Sequence, residues 1–277
     1  MPELPEMQAL GERIEEAYGG APLKRIDVLQ FAGLKTVSPA PNDLLGAPLR
    51  SVSRRAKYLT LHFESGQIMF HLSQGGRVDF EPTPKTTKPR GSVARFVFDG
   101  PGAFLLKEFG TERKAKWWVL APGDTAPLDG LGPEPFDDRF AELVMSGEDK
   151  RRLHTMLRDQ RTVAGIGRGF SDDILHRARL SPFDSLSALG DEARKRLLDA
   201  THERLEEGLA AERQRTGGLP AKLKGRFEVH GHFGAQCPRC ERELRRVSYE
   251  SYEITYCSDC QTGGKILADR RMSRLLK

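Results

Sequence analysis

Four cysteines constrain this chain most tightly. They are Cys237, Cys240, Cys257 and Cys260, and residues 1–236 contain none. They form CPRC and CSDC, two C-x-x-C pairs sixteen residues apart. Each pair can sit on a tight knuckle, and four thiolates so spaced can close a tetrahedral Zn²⁺ site. The alternatives are two disulfides or a redox motif. Disulfides need an oxidising compartment, and the N-terminus has no apolar stretch behind basic residues to signal secretion. A redox motif normally uses one such pair, not two. Between the pairs, ERELRRVSYESYEITY alternates in strand fashion through Leu244, Val247, Tyr249, Tyr252, Ile254 and Tyr256. This predicts a β-hairpin zinc ribbon over residues 231–277, with structural zinc. Arg239, Arg242, Arg245 and Arg246 make it basic, which suits a solvated surface almost as well as phosphate contacts.

The 277 residues suggest about two domains with a proper core. No apolar run is long enough to span a membrane. A net charge of +5 makes polyanionic partners plausible without proving them. Residues 2–125 open with the helical pattern PEMQALGERIEEAYGG, whose apolar stripe is Met7, Leu10 and Ile14. Strand-like segments follow: KRIDVLQFAG, KYLTLHFES, QIMFHLS, SVARFVFDG, AFLLKEFG and KAKWWVLA. Strands with few helices predict a β-sandwich or barrel. The Pro- and Gly-rich residues 126–135 read as a linker. Residues 136–230 are helical in pattern.

Within that helical region lies LRDQRTVAGIGRGFSDDILHRARLSP. Gly165, Gly167 and Gly169 allow a sharp turn that exposes N–H groups, a ready anion site at the start of a helix. Arg158, Arg161, Arg168, Arg177 and Arg179 surround it in sequence. A phosphate clamp and a plain interhelical turn both fit.

Four motifs occur in order: PELPE at the start, RRAKYL at 54–59, DQRTVAGIG at 159–167, and the terminal C-x-x-C pairs. In this the chain resembles the formamidopyrimidine-DNA glycosylase / endonuclease VIII family along its whole length. The resemblance implies an α+β multidomain fold: an N-terminal β-sandwich with flanking helices, a helix–two-turn–helix domain and a C-terminal zinc ribbon. It implies a monomeric DNA repair glycosylase with abasic-site lyase activity, working in the cytoplasm, at the nucleoid if bacterial, on damaged duplex or single-stranded DNA. Pro2, once Met1 is trimmed, would be the nucleophile, because a secondary amine forms a Schiff base with the sugar C1′. Glu3 would protonate the sugar ring oxygen, and must carry a proton to do so; burial or a like charge favours that. Glu6 would supply that charge or hold the amine. Lys57 would sit at the backbone phosphate. Without the other motifs, Pro2 and Glu3 would be explained as an ordinary helix start.

The target nucleotide must leave the stack, and a wedge should fill the hole. Gln74 stands where the family has methionine, and Gly75 and Gly76 suggest a slack loop around it. Lys107 and Phe109 stand where it has arginine and phenylalanine. Arg168 replaces the asparagine after GIG, and His154 replaces a lysine before that motif. Tyr252 replaces the finger arginine, so δ elimination should be weak or absent unless Arg245 or Arg246 substitutes. The short segment from Thr216 to Gly234 leans toward oxidised pyrimidines, ring-opened purines or abasic sites. Two other readings stay open: a non-catalytic binder of damaged, branched or single-stranded DNA that keeps the fold, and a zinc-ribbon interaction module.

Overall fold

The computed structural model describes residues 1–109, 113–221, 225–249 and 252–267. The chain begins with α1, Leu4–Tyr18. Glu3 caps it in extended conformation, and its backbone N–H donates to Glu6 Oε2 at 2.7 Å. Met7, Leu10 and Ile14 are fully buried, as their spacing requires of a helix laid on a sheet. Gly11 lies inside the helix, at a propensity cost of about 1 kcal/mol. The reason is proximity: a Cβ there would lie 2.9 Å from Leu59 Cδ2.

Two four-stranded antiparallel sheets follow. The strands are β1 Leu23–Val28, β2 Ser51–Arg55, β3 Tyr58–Phe63, β4 Gly66–His71, β5 Gly76–Glu81, β6 Ser92–Phe98, β7 Gly102–Glu108 and β8 Lys116–Leu120. One sheet has the order β1-β6-β7-β5, the other β2-β3-β4-β8. Phe70, Phe96, Phe104 and Trp117 fill a single core with Leu10, Ile14 and Tyr18 of α1. Helix α1 rests on β2 and β3. The two strands missing from the sequence reading, β2 and β5, are both sheet edges. SVSRR has one apolar residue, and an edge strand needs no more. Residues 209–221 return to this unit through a Val78–Leu219 bridge and through Arg13, which donates to Glu212 O at 2.9 Å.

The second compact unit comprises Gly130–Gly208 with the described residues of Lys224–Lys277. Its helices are α2 Asp138–Ser146, α3 Leu153–Arg158, α4 Arg168–Ala178 and α5 Asp191–Arg213, the last running past the unit's edge. A hairpin of β9 Arg245–Ser248 and β10 Glu253–Tyr256 leads into the short α6 Ser258–Thr262. The ribbon packs on α4 inside this unit. Residues 126–128 form a single 3₁₀ turn.

A buried ion pair ties the first sheet together. Arg95, 1% exposed, donates from Nε to Glu81 Oε2 at 2.7 Å and from Nη2 to Thr87 O at 2.9 Å. Removing one partner leaves the other charge buried, which costs about 3–5 kcal/mol. Arg95→Met should therefore lower stability by about that amount in urea unfolding, while Glu81→Met with Arg95→Met should recover much of the loss.

Candidate active site

Pro2 is buried, Glu3 is 3% exposed and Glu6 is fully buried. The first turn of α1 thus carries its acidic pair inside the fold, with Glu6 engaged on the Glu3 backbone. Lys57, 4% exposed, occupies the turn between β2 and β3, where Ala56 takes φ 54°. Arg54 anchors that turn. Its Nε donates to Gln8 Oε1 at 2.9 Å and its Nη1 to Ala56 O at 3.2 Å. The PELPE and RRAKYL motifs are therefore joined: one lies on α1, the other on the hairpin fastened to it.

No sequence motif points to His71. It stands opposite Tyr58 in the β3–β4 register, with ring centroids 4.6 Å apart. Burial, then the positive charges of Lys116 and Lys57, hold its pKa down at about 3. The Ser73 N–H donates to Nδ1 at 3.2 Å, which places the ring proton on Nε2. A neutral donor thus sits within the electrostatic reach of Lys57. Only strand register reveals this, since His71 and Lys57 are far apart in sequence.

The two wedge candidates also meet. Gln74 is exposed, and Phe109 is 47% exposed. The Phe109 N–H donates to Gly75 O at 2.8 Å. A Cβ on Gly75 would sit 2.5 Å from Phe109 O, and one on Gly76 2.2 Å from Leu72 O. These glycines permit close backbone packing rather than slack, contrary to the loose loop expected. Lys107 lies 4.9 Å over the Phe109 ring and pairs with Asp79 at 2.7 Å. A basic groove of about 880 Å³ runs beside Phe109, lined by Gln30, Lys88, Arg90 and Arg113 among others.

In the second unit, Gln160 builds the GIG turn. Its side chain accepts from Gly165 N–H at 2.9 Å and donates to Ile166 O at 2.6 Å. Gly165 takes φ 108°, which disfavours any other residue. Arg161 is exposed beside the turn, and Arg168 is the first residue of α4. Arg177 and Arg179, expected near this turn, lie at the other end of α4. Arg177 is bound to Glu203, Glu207 and Glu228 at 3.1–3.2 Å and has a structural role. His154 is 1% exposed, 3.3 Å from the buried Asp172 and stacked parallel to Tyr252. Arg245 pairs with Glu243 at 3.5 Å; Arg246 pairs with Glu253 at 3.3 Å and covers Phe233.

The four cysteine sulfurs lie within 4.8 Å of one another. Cys240 and Cys257 are 3.4 Å apart, and Cys237 and Cys260 3.9 Å. A tetrahedral Zn–S₄ site with bonds of about 2.3 Å needs sulfurs roughly 3.8 Å apart; a disulfide would need about 2.05 Å. The set fits a metal. His176 Nε2 lies 3.2 Å from Cys237 Sγ, and burial, then nearby arginines, lower its pKa to about 4. Arg239 of the first knuckle donates to His176 O and Arg177 O, capping α4. His176 carries no signal in the sequence, because nothing in a lone helical histidine points to a sulfur.

A first helical turn with Pro2, Glu3 and Glu6 buried beside a lysine-bearing hairpin, a glycine turn and a four-cysteine ribbon together define a chain with DNA-repair architecture. The formamidopyrimidine-DNA glycosylase N-terminal domain matches residues 1–118, and the H2TH domain of the same enzymes matches residues 131–217. The chain belongs to the formamidopyrimidine-DNA glycosylase family. A formamidopyrimidine-DNA glycosylase of Thermus thermophilus is 30% identical over 95% of this chain and 100% of its own. An uncharacterised formamidopyrimidine-DNA glycosylase-like protein of Mycobacterium tuberculosis is 40% identical over 153 residues, 53% of this chain and 94% of its own. The crystal structure of the Thermus thermophilus protein superposes with TM-score 0.80 at 28% identity, covering 96% of this chain and all of that one. A Lactococcus lactis family member in complex with abasic-site DNA superposes with TM-score 0.83 at 20% identity, covering 94% and 99%.

The His71 assignment is directly measurable. In an NMR pH titration its imidazole should stay neutral from pH 8 to pH 5 and inflect near 3. Because the folded pKa lies below the unfolded value of about 6.5, stability from this group is full above 6.5 and lost as pH falls toward 3. An inflection near 6.5 would contradict the burial argument.

Proposed function

We propose that this chain, a DNA repair glycosylase and abasic-site lyase by family, acts through Pro2 as nucleophile once Met1 is removed. The observation that carries the reading is the placement of Pro2, Glu3 and Glu6 in one buried turn fastened through Arg54 to the hairpin that bears Lys57. The Pro2 nitrogen attacks C1′ of the everted nucleotide and the damaged base departs. Glu3 gives its proton to the ring oxygen as the sugar opens to an iminium. Loss of a C2′ proton then breaks the C3′–O bond, and water releases the amine. Glu6 keeps the turn in place and adds negative charge beside Glu3. Lys57 meets the phosphate flanking the lesion, and His71 offers a neutral N–H close to that charge.

Gln74, Lys107 and Phe109 form the wedge, joined by the Gly75–Phe109 hydrogen bond. Arg161 and Arg168 contact the phosphate backbone, with Arg245 and Arg246 as further cations of the ribbon. His154 supports the site from inside, through Asp172 and Tyr252, rather than touching DNA. Cys237, Cys240, Cys257 and Cys260 hold one structural Zn²⁺, which would tie the two knuckles together and fix the ribbon on α4. With a tyrosine at position 252, the main lyase product is that of β elimination. The preferred lesions are oxidised pyrimidines, ring-opened purines or abasic sites. The chain works as a monomer in the cytoplasm. No described helix is long and apolar enough to cross a membrane.

Borohydride added to the protein with abasic-site duplex should trap a covalent adduct, and Pro2→Ala should abolish it. Glu3→Gln should slow base excision by roughly 10²–10⁴-fold. Salt-sensitive binding with no adduct would replace this reading with that of a passive DNA binder. The purified chain should carry one zinc. Cys237→Ser should lose the metal and lower the thermal midpoint of the second unit, whereas an unchanged metal content would remove zinc from the account.

A further inference from the structure

One stripe of α4 faces the ribbon and the segment just before it. It consists of Gly169, Asp172, Asp173 and His176, spaced i, i+3, i+4 and i+7, and all four are buried. Gly169 leaves room for the Phe227 ring, which a Cβ there would strike. Asp173 accepts from the backbone N–H groups of Glu228, Val229 and His230, and Asp172 from that of Thr255. His176 ends the stripe, and what it meets is sulfur: Nε2 lies 3.2 Å from Cys237 Sγ. The first knuckle grips the same turn of helix in return, since Arg239 donates to the His176 and Arg177 carbonyls at 2.9 and 3.3 Å.

The imidazole is 1% exposed, so its proton has to sit where a partner exists. Nδ1 is buried and has no hydrogen-bond partner. A proton there would be an unmatched buried donor, and Nε2 would turn a bare lone pair on the sulfur. A cysteine bound to zinc is a thiolate and brings no proton of its own. Only Nε2–H satisfies the contact. The four clustered sulfurs fill a tetrahedral site by themselves, so the imidazole serves a ligand rather than the metal. In the second knuckle a backbone group plays the matching part: the Cys260 N–H points at Cys257 Sγ at 3.5 Å. Cys237 takes its side-chain donor from outside the ribbon.

We propose that His176 is a positioning residue for the metal: its Nε2–H donates to the Cys237 thiolate, so that α4 holds one of the four ligands in place. The inference rests on the zinc reading above and adds a group from the helical domain to it. A hydrogen bond to a metal-bound thiolate fixes the sulfur's direction and draws charge from it. Metal loss begins when one thiolate lets go, and this bond slows that step. Zinc retention thus depends on the docked helix as well as on the two knuckles.

The test uses the full, zinc-loaded chain. Nitrogen-15 NMR of the histidine rings should show His176 protonated on Nε2 and bare on Nδ1. Zinc release to an excess of a colorimetric chelator should be about 10–100-fold faster in His176→Phe, the range typical for loss of such an outer partner. His176→Gln, whose amide nitrogen can reach the same sulfur, should stay within about threefold of the wild type. A ring protonated on Nδ1 overturns the proposal, whether Nε2 is then bare or bound to metal. So does a His176→Phe variant that releases zinc at the wild-type rate, or one matched by His176→Gln. Should His176→Phe fail to fold, the wild-type tautomer and the His176→Gln rate still decide. A wild-type chain that carries no zinc removes the metal reading and this one with it, whereas a zinc-loaded chain with the other tautomer removes this one alone.

Discussion

The Glu3 backbone N–H donates to the Glu6 carboxylate inside a turn that water barely reaches. That bond decides where the amino end of the chain is kept. An N-terminal segment is ordinarily loose unless something ties it down. Here the apolar stripe of α1 buries the helix against β2 and β3, and the cap bond sets the residues in front of it. The same helix surface presents Gln8 to Arg54, so the position of Lys57 is inherited from the position of α1. An amine, a proton donor and a cation can act as one group only if their spacing is preset, because alignment within an ångström is what proximity catalysis requires.

The second unit depends on two adjacent carboxylates on α4. Asp173 accepts backbone N–H groups from Glu228, Val229 and His230 and pairs with Arg204 at 3.1 Å. Asp172 lies 2.6 Å from His230 Nδ1 and 3.3 Å from His154, and accepts from the Thr255 N–H. Burial opposes its charge, but the two histidines outweigh burial and hold its pKa below the usual value. For Asp173 burial prevails and the pKa is raised. Through these two side chains one helix organises the ribbon, the segment before it and the turn-bearing pair of helices. The sulfur–imidazole contact at Cys237 and the Arg239 cap add to the same docking.

Much of this was legible in sequence, for physical reasons that differ by element. Met7, Leu10 and Ile14 announce α1 because helical spacing and burial coincide. The cysteine pairs announce the ribbon because few other uses of four thiolates fit that spacing. Edge strands β2 and β5 were missed, since an edge buries little and carries little apolar signal. His71 was missed because its partners come from neighbouring strands. Arg177 and Arg179 were grouped with the GIG turn on sequence proximity, yet a helix separates them from it. Arg158, in the same group, is half-buried against the ring of Tyr252, nearly a hundred residues away. Local sequence thus states which chemistry is present; register and packing decide which copies of it face one another.

The central claim is that the sugar is captured by the imino nitrogen of residue 2. Peptide mapping by mass spectrometry of the borohydride-reduced adduct with abasic-site DNA tests it most directly. The added deoxyribose fragment is expected on the N-terminal peptide, at the Pro2 nitrogen, with Met1 absent. An adduct carried by Lys57 or any other lysine, or an amino end found acylated in the active protein, would contradict it.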